Sequence, residues 1–192
     1  MAISLFSFPL NKNSMKPNIS SADPRILSQV KLVVIDVDGV LTDGTKYYNH
    51  NGLFLLPFNA RDGLGIHLLL KAGIEIAVVT NSDDPIVRAR IADLEIKHLM
   101  DNVVDKGKAI LKLTLQLGIP KEQVLFVGDD LWDIPAFKLV GVAVAVSDSA
   151  NYVREAANCT TENRSGRGAI REIADAVLKA KGIDPLQLLG LT

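Results

Sequence analysis

The 192-residue sequence holds a single cysteine, Cys159, and three histidines. One thiol forms no internal disulfide, which fits a reducing compartment. With no histidine or basic cluster near it in sequence, it also makes a poor nucleophile. His50, His67 and His98 are too scattered for zinc-ligand spacing. A formal net charge of −1 offers no broad basic field for nucleic acid. Nor does any apolar run approach the roughly 18–20 residues that cross a bilayer. Residues 1–10 are mildly apolar but lack a basic leader region and are interrupted by Ser4, Ser7 and Pro9, which argues against a signal peptide. No internal repeat is visible.

What remains is ordinary globular composition, 48% hydrophobic and 22% charged, with room for one core. Residues 1–24 read as a loose leader, 25–181 as the folded domain and 182–192 as a tail. Buried-strand patterns occur at residues 31–35, 75–79, 124–127 and 142–146, with weaker ones at 98–100 and 158–160. Helical patterns lie between them: 62–72 closed by Gly73, 84–94 with Asp83 as N-cap, and 106–117 closed by Gly118. This alternation predicts an α/β fold, a doubly wound parallel sheet with helices on both faces. One segment breaks it. Residues 45–48 and 53–56 flank Asn51-Gly52, the signal of a hairpin flap over about 44–58 whose Tyr, Phe and Leu face suits an oligomer contact.

Chemistry concentrates at the ends of the apolar runs. Asp36 and Asp38 follow residues 32–35, and alternation points both to one side where the strand leaves the sheet. Alone, D-x-D-G also reads as a capped turn. Thr80, Asn81 and Ser82 follow the second run, where an anion or a plain helix cap fits equally. Lys106 opens a helix, an unfavourable end for a cation unless it faces a phosphate, although a solvated surface lysine has the same sequence signature. Gly128-Asp129-Asp130-Leu131-Trp132-Asp133 crowds three acids into one turn, and their repulsion is relieved by a hard cation such as Mg²⁺.

In that order, these pieces resemble the haloacid dehalogenase-like phosphohydrolases over roughly residues 30–180. The resemblance implies that Asp36 is the nucleophile and Asp38 the general acid and base. It implies Mg²⁺ held by the Asp36 side chain, the Asp38 backbone carbonyl and Asp129, with Asp133 in support and Asp130 either supporting or capping a helix. Thr80 and Lys106 would hold phosphoryl oxygens. The gaps between Asp38, Thr80 and Lys106 are too short for a separate cap domain.

Residues 36–44, 58–63, 128–133 and 165–172 together resemble the 3-deoxy-D-manno-octulosonate 8-phosphate phosphatase group within that family. This finer resemblance implies a capless, cytoplasmic homotetramer acting on a small phosphorylated sugar acid in lipopolysaccharide precursor synthesis, without nucleic acid or membrane partners. A sugar acid needs cations besides the metal, and Arg61 and Arg167 are the candidates, with Asn81 beside the phosphate. Arg61 reads alternatively as tied to Asp62 or Glu75, and Arg167 as part of a surface loop. The tail at 182–192 would act as a lid on a neighbour's site. The group usually carries Gly then Arg after the strand-end Thr, whereas Asn81-Ser82 stands here. That departure leaves room for a related substrate such as a nonulosonate phosphate. From a different class, a catalytically silent oligomerisation module is opposed by the joint presence of Asp36, Asp38, Lys106 and Asp129. A receiver-like signalling domain is opposed by both acids of the pair sharing one strand.

Overall fold

The computed structural model describes residues 16–192. The chain runs through α1 (Pro24–Leu27) into β1 (Leu32–Ile35), followed by an antiparallel hairpin, β2 (Tyr47–Asn49) and β3 (Gly52–Leu55). Helix and strand then alternate through α2 (Ala60–Lys71), β4 (Glu75–Val79), α3 (Pro85–Asp93), β5 (His98–Met100), α4 (Lys106–Leu117), β6 (Val124–Gly128) and α5 (Ile134–Phe137). The pattern continues with β7 (Val142–Ala145), α6 (Asn151–Ala156) and β8 (Cys159–Thr160), and ends in α7 (Ala169–Ala180) and α8 (Pro185–Leu188).

Six strands pair in parallel in the order β5-β4-β1-β6-β7-β8. From β1 the chain first builds outward to β4 and β5, then returns to build β6, β7 and β8 on the other side. The crevice beyond the carboxyl ends of β1 and β6 is therefore the switch point where such sheets bind ligands. Period-two alternation sends successive side chains to opposite faces. Val33, Ile35, Ile76 and Val78 join Ile66 and Leu69 of α2 and Ile170 and Ile173 of α7 in one core layer. Leu32, Val34, Ala77 and Val79 join Ile110 and Leu113 of α4 and Phe137 of α5 in the other. With both faces covered, the strands need no polar alternation, and β1 and β7 are buried at every residue.

The doubly wound sheet is as the alternation of patterns predicts. Several boundaries differ for local reasons. Residues 1–15 of the expected leader lie outside the described residues, but the rest of it belongs to the fold. The Thr160 N–H donates to the Pro17 carbonyl at 3.0 Å, and Ile19 is fully buried. A single apolar residue among polar ones was a weak signal. Helix α2 begins at Ala60, two residues early, because the Asn59 side chain accepts the Arg61 N–H at 2.8 Å. The cap of α3 is Asp84, which accepts the Ile86 N–H at 2.7 Å, rather than Asp83. In the hairpin, Asn49 pairs with Gly52, so the turn is His50-Asn51 and Gly52 absorbs the strain with φ +111°. Helix α7 has Gly168, with φ +106°, at its cap position. Of the tail, residues 185–188 form α8 behind an Asp184 cap.

No helix among the described residues is long and apolar enough to cross a membrane.

Candidate active site

The turn after β1 sets the site. The Asp36 N–H extends the ladder to the Val127 carbonyl at 3.1 Å, so its carboxylate emerges where β1 and β6 end together. The chain then folds back through a wide turn closed by the Thr42 N–H on the Val37 carbonyl at 3.0 Å. Gly39 makes this possible with φ +79°, and a Cβ there would lie 2.1 Å from an Asp129 carboxylate oxygen. Only a glycine lets the D-x-D backbone sit against the acid delivered by β6.

Lys106, at the start of α4, is not a surface lysine. It is 2% exposed and ion-paired to Asp36 at 2.8 Å and to Asp133 at 2.6 Å. Burial works against its charge, but Asp36 and Asp133 outweigh burial and raise its pKa. Asp133 is fully committed: its other oxygen accepts the backbone N–H groups of Asp129 at 2.8 Å and Asp130 at 3.1 Å. Asp130 caps the turn by accepting the Leu131 N–H at 2.7 Å. Lys106 and Asp133 thus form a rigid floor that holds Asp36 in place.

Asp129 is different. One of its carboxylate oxygens is buried without a hydrogen-bond partner. Burial, reinforced by Asp36, Asp133 and Asp130, pushes its carboxyl up to about 8. Burial likewise pushes Asp36 up to about 7, although Lys106 pulls the other way. Carboxylate oxygens of Asp36, Asp129 and Asp133 lie within 4.8 Å of one another. An orphaned, oxygen-only donor set with repelling charges suits a hard divalent cation, which would satisfy the free oxygen and return both acids to their ionised forms.

The remaining groups line the same 310 Å³ pocket, which takes in Asp36, Asp38, Thr80, Asn81, Lys106, Asp129, Asp130 and Asp133. Thr80 is buried, and its Oγ1 accepts the Ser82 N–H at 3.1 Å, leaving the hydroxyl proton to donate into the pocket. Asp38 pairs with Lys46 at 2.8 Å, and its second carboxylate oxygen is buried without a partner. Sequence reasoning missed Lys46 and Trp132. Trp132 also lines the pocket and is 60% exposed, unusual for an indole and a signal available only once the fold is known.

Arg61 and Arg167 are not brought to this pocket. They line a separate 520 Å³ cavity along α7, and Arg167 reaches Asp43 at 3.2 Å. Neither suggested partner of Arg61 is engaged with it. Asp62 accepts the N–H groups of Gly168 and Arg171, and Glu75 faces His98 at 3.2 Å. Cys159 is buried, its thiol pushed up to about 12 by burial, and takes no part.

A model of haloacid dehalogenase-like hydrolases matches residues 85–173, from α3 into α7. The 3-deoxy-D-manno-octulosonate 8-phosphate phosphatase KdsC of Haemophilus influenzae is 44% identical over 156 residues, spanning 81% of this chain and 87% of that protein. The chain belongs to this phosphatase family. Among solved structures of the family, the cobalt-bound enzyme from Haemophilus influenzae superposes with a TM-score of 0.80 at 43% identity, covering 82% of this chain and 92% of that one. The phosphatase from Moraxella catarrhalis, in complex with magnesium, phosphate and KDO, superposes with a TM-score of 0.80 at 33% identity, over 83% and 91%. The fold is that of a family member without a cap domain: among the described residues the only strands outside the six-stranded sheet are β2 and β3 of the hairpin.

Proposed function

We propose that this chain is a Mg²⁺-dependent phosphatase that hydrolyses 3-deoxy-D-manno-octulosonate 8-phosphate to the free sugar acid and phosphate. The reading includes a cytoplasmic homotetramer serving lipopolysaccharide precursor synthesis. One observation carries it: the ends of β1 and β6 and the start of α4 deliver Asp36, the orphaned Asp129 and Lys106 to one pocket. The family relatives named for this activity supply the substrate.

Asp36 attacks phosphorus, forming an Asp36–phosphorus bond as the ester bond to the sugar oxygen breaks. Asp38, two residues on, gives its proton to the departing alkoxide, then takes one from the water that cleaves the aspartyl-phosphate. Lys106 fixes the attacking carboxylate from the buried side and faces the phosphoryl oxygens. The Thr80 hydroxyl donates to one of those oxygens as charge moves onto them. The Asp36 and Asp129 side chains and the Asp38 backbone carbonyl, with Asp133 in support, would hold Mg²⁺, whose charge would offset the repulsion between an anionic nucleophile and an anionic phosphate.

Phosphate release across a panel of phosphorylated sugar acids, with Mg²⁺ and with chelator, tests this. The expected outcome is turnover of the octulosonate ester that chelator abolishes. Turnover of nothing on the panel would refute it. A nonulosonate phosphate stays on the panel because Asn81, an exposed residue lining the pocket, stands where the group usually has glycine.

A further inference from the structure

Thr42 is a buried polar side chain to which phosphoryl transfer gives no role. It is fully buried, where the wide turn after β1 closes on itself. Its N–H donates to the Val37 carbonyl at 3.0 Å, and its hydroxyl donates to the same carbonyl at 3.4 Å. The hydroxyl oxygen in turn accepts two backbone N–H groups, from Gly39 at 3.4 Å and from Gly44 at 3.3 Å. A hydroxyl has one donor and two lone pairs, so Thr42 spends all of its capacity on this one turn. Valine has nearly the same branched shape, so packing alone gives no reason for a hydroxyl here.

The reason lies across the peptide bond from Gly39. Asp38, at φ −73° and ψ 121°, and Gly39, at φ +79° and ψ 8°, have the dihedrals of a type II β-turn. A type I turn over the same residues differs by a flip of the Asp38–Gly39 peptide plane. The N–H and the carbonyl of a trans peptide point in opposite directions. With the Gly39 N–H turned inward onto Thr42, the Asp38 carbonyl therefore faces away from Thr42. Asp38, Gly39 and Gly44 all line the pocket, so this one hydroxyl fixes both ends of the backbone that forms its wall. We propose that Thr42 is a positioning residue whose hydroxyl locks the Asp38–Gly39 peptide plane, so that the Asp38 carbonyl is set to receive a divalent cation. The inference rests on the phosphatase reading above, in which that carbonyl would hold Mg²⁺ with Asp36 and Asp129. A ligand already oriented binds a cation more tightly than one that must first turn round.

The test is Mg²⁺ titration calorimetry on wild type, Thr42→Val and Thr42→Ser, each read beside its melting temperature in chelator. Thr42→Val keeps the shape and loses the hydroxyl, whereas Thr42→Ser keeps the hydroxyl. Thr42→Val should bind Mg²⁺ about 10-fold more weakly than wild type, and Thr42→Ser should recover most of that loss. A hydroxyl with a merely structural role would lower the melting temperature of Thr42→Val and leave its Mg²⁺ affinity unchanged. That result, or no recovery in Thr42→Ser, overturns the proposal. Should Thr42→Val fail to fold, Thr42→Ala takes its place and the same affinity is read. Amide hydrogen exchange at Gly39 in the chelated proteins reads the peptide plane without metal or turnover. Faster exchange in Thr42→Val than in wild type supports the lock, and equal exchange overturns it. If wild type binds no Mg²⁺, the metal-dependent phosphatase reading fails, and exchange at Gly39 still decides whether Thr42 holds the plane.

Discussion

Two carboxylates, the buried Asp62 and the half-buried Asp129, separate structure from chemistry. Burial raises the pKa of both. Asp62 has a complete set of partners: its two oxygens accept the Gly168 N–H at 3.1 Å and the Arg171 N–H at 3.0 Å. It caps α7 from outside, because Gly168 at that helix's own cap position has no side chain. Asp129 faces like charges and leaves an oxygen orphaned. Burial measures what a carboxylate costs, and partners show what it is for. A closed set of backbone donors marks a clamp between α2 and α7. An open set among repelling acids marks a group that could hold a cation.

Four substitutions or conditions would break or sharpen that contrast. The largest effect is expected from Asp36→Asn, which removes the nucleophile and should lower phosphate release by about 10⁴-fold or more. Its melting temperature should hold, because Lys106 keeps Asp133 as a partner. A folded Asp36→Asn protein with near-wild-type turnover would place the chemistry elsewhere. Next comes Lys106→Met, which strands Asp36 and Asp133 without their cation. Denaturant unfolding should show a loss of about 3–5 kcal/mol, the scale for breaking a buried ion pair from one side. Asp62→Ala should cost about 2 kcal/mol of stability by removing the cap on α7, with kcat left at the wild-type value. A fall in kcat without a fall in stability would reverse the two roles.

The smallest expected effect is in pH dependence. Asp36 at about 7 and Asp129 at about 8 are raised above their unfolded value of 3.8 by burial and like charges. The folded protein therefore holds protons that the unfolded chain has released. This contribution to stability is complete below about pH 4 and is lost as pH rises through 7 to 8. The metal-free melting temperature should fall between pH 5 and 8, while the gain from Mg²⁺ grows over the same range. Asp129→Asn should flatten both trends, and thermal shift assays at several pH values check them.

The acidic strand ends were legible because each followed a buried-strand pattern, and the sheet turns such positions into neighbours. Period placed these acids at strand ends, and the resemblance to the phosphohydrolases joined Asp36, Asp38, Thr80, Lys106 and Asp129 in one site, where the structure has them lining one pocket. Three things were hidden. Asp62 reads locally as a first-turn acid favouring its own helix dipole, yet its partners lie more than a hundred residues away. Lys46 reads as one polar residue of a hairpin, and its contact with Asp38 depends on how the turn at Gly39 and Gly44 folds back. Arg61 and Arg167 were assigned by charge, but their direction depends on how α2 and the loop before α7 meet, which spacing does not encode. Residues 16–24 of the expected leader belong to the fold because one buried residue, Ile19, ties them to the core.

The central claim is that the orphaned acidic cluster is a phosphoryl-transfer site whose nucleophile is Asp36. Rapid acid quench of the enzyme with Mg²⁺ and 3-deoxy-D-manno-octulosonate 8-phosphate, followed by peptide mass spectrometry, tests it most directly. One phosphoryl group on the peptide carrying Asp36, absent when chelator replaces Mg²⁺ and absent in Asp36→Asn, is the expected result. Turnover with no phosphorylated peptide, or with the phosphoryl group on another residue, would contradict it.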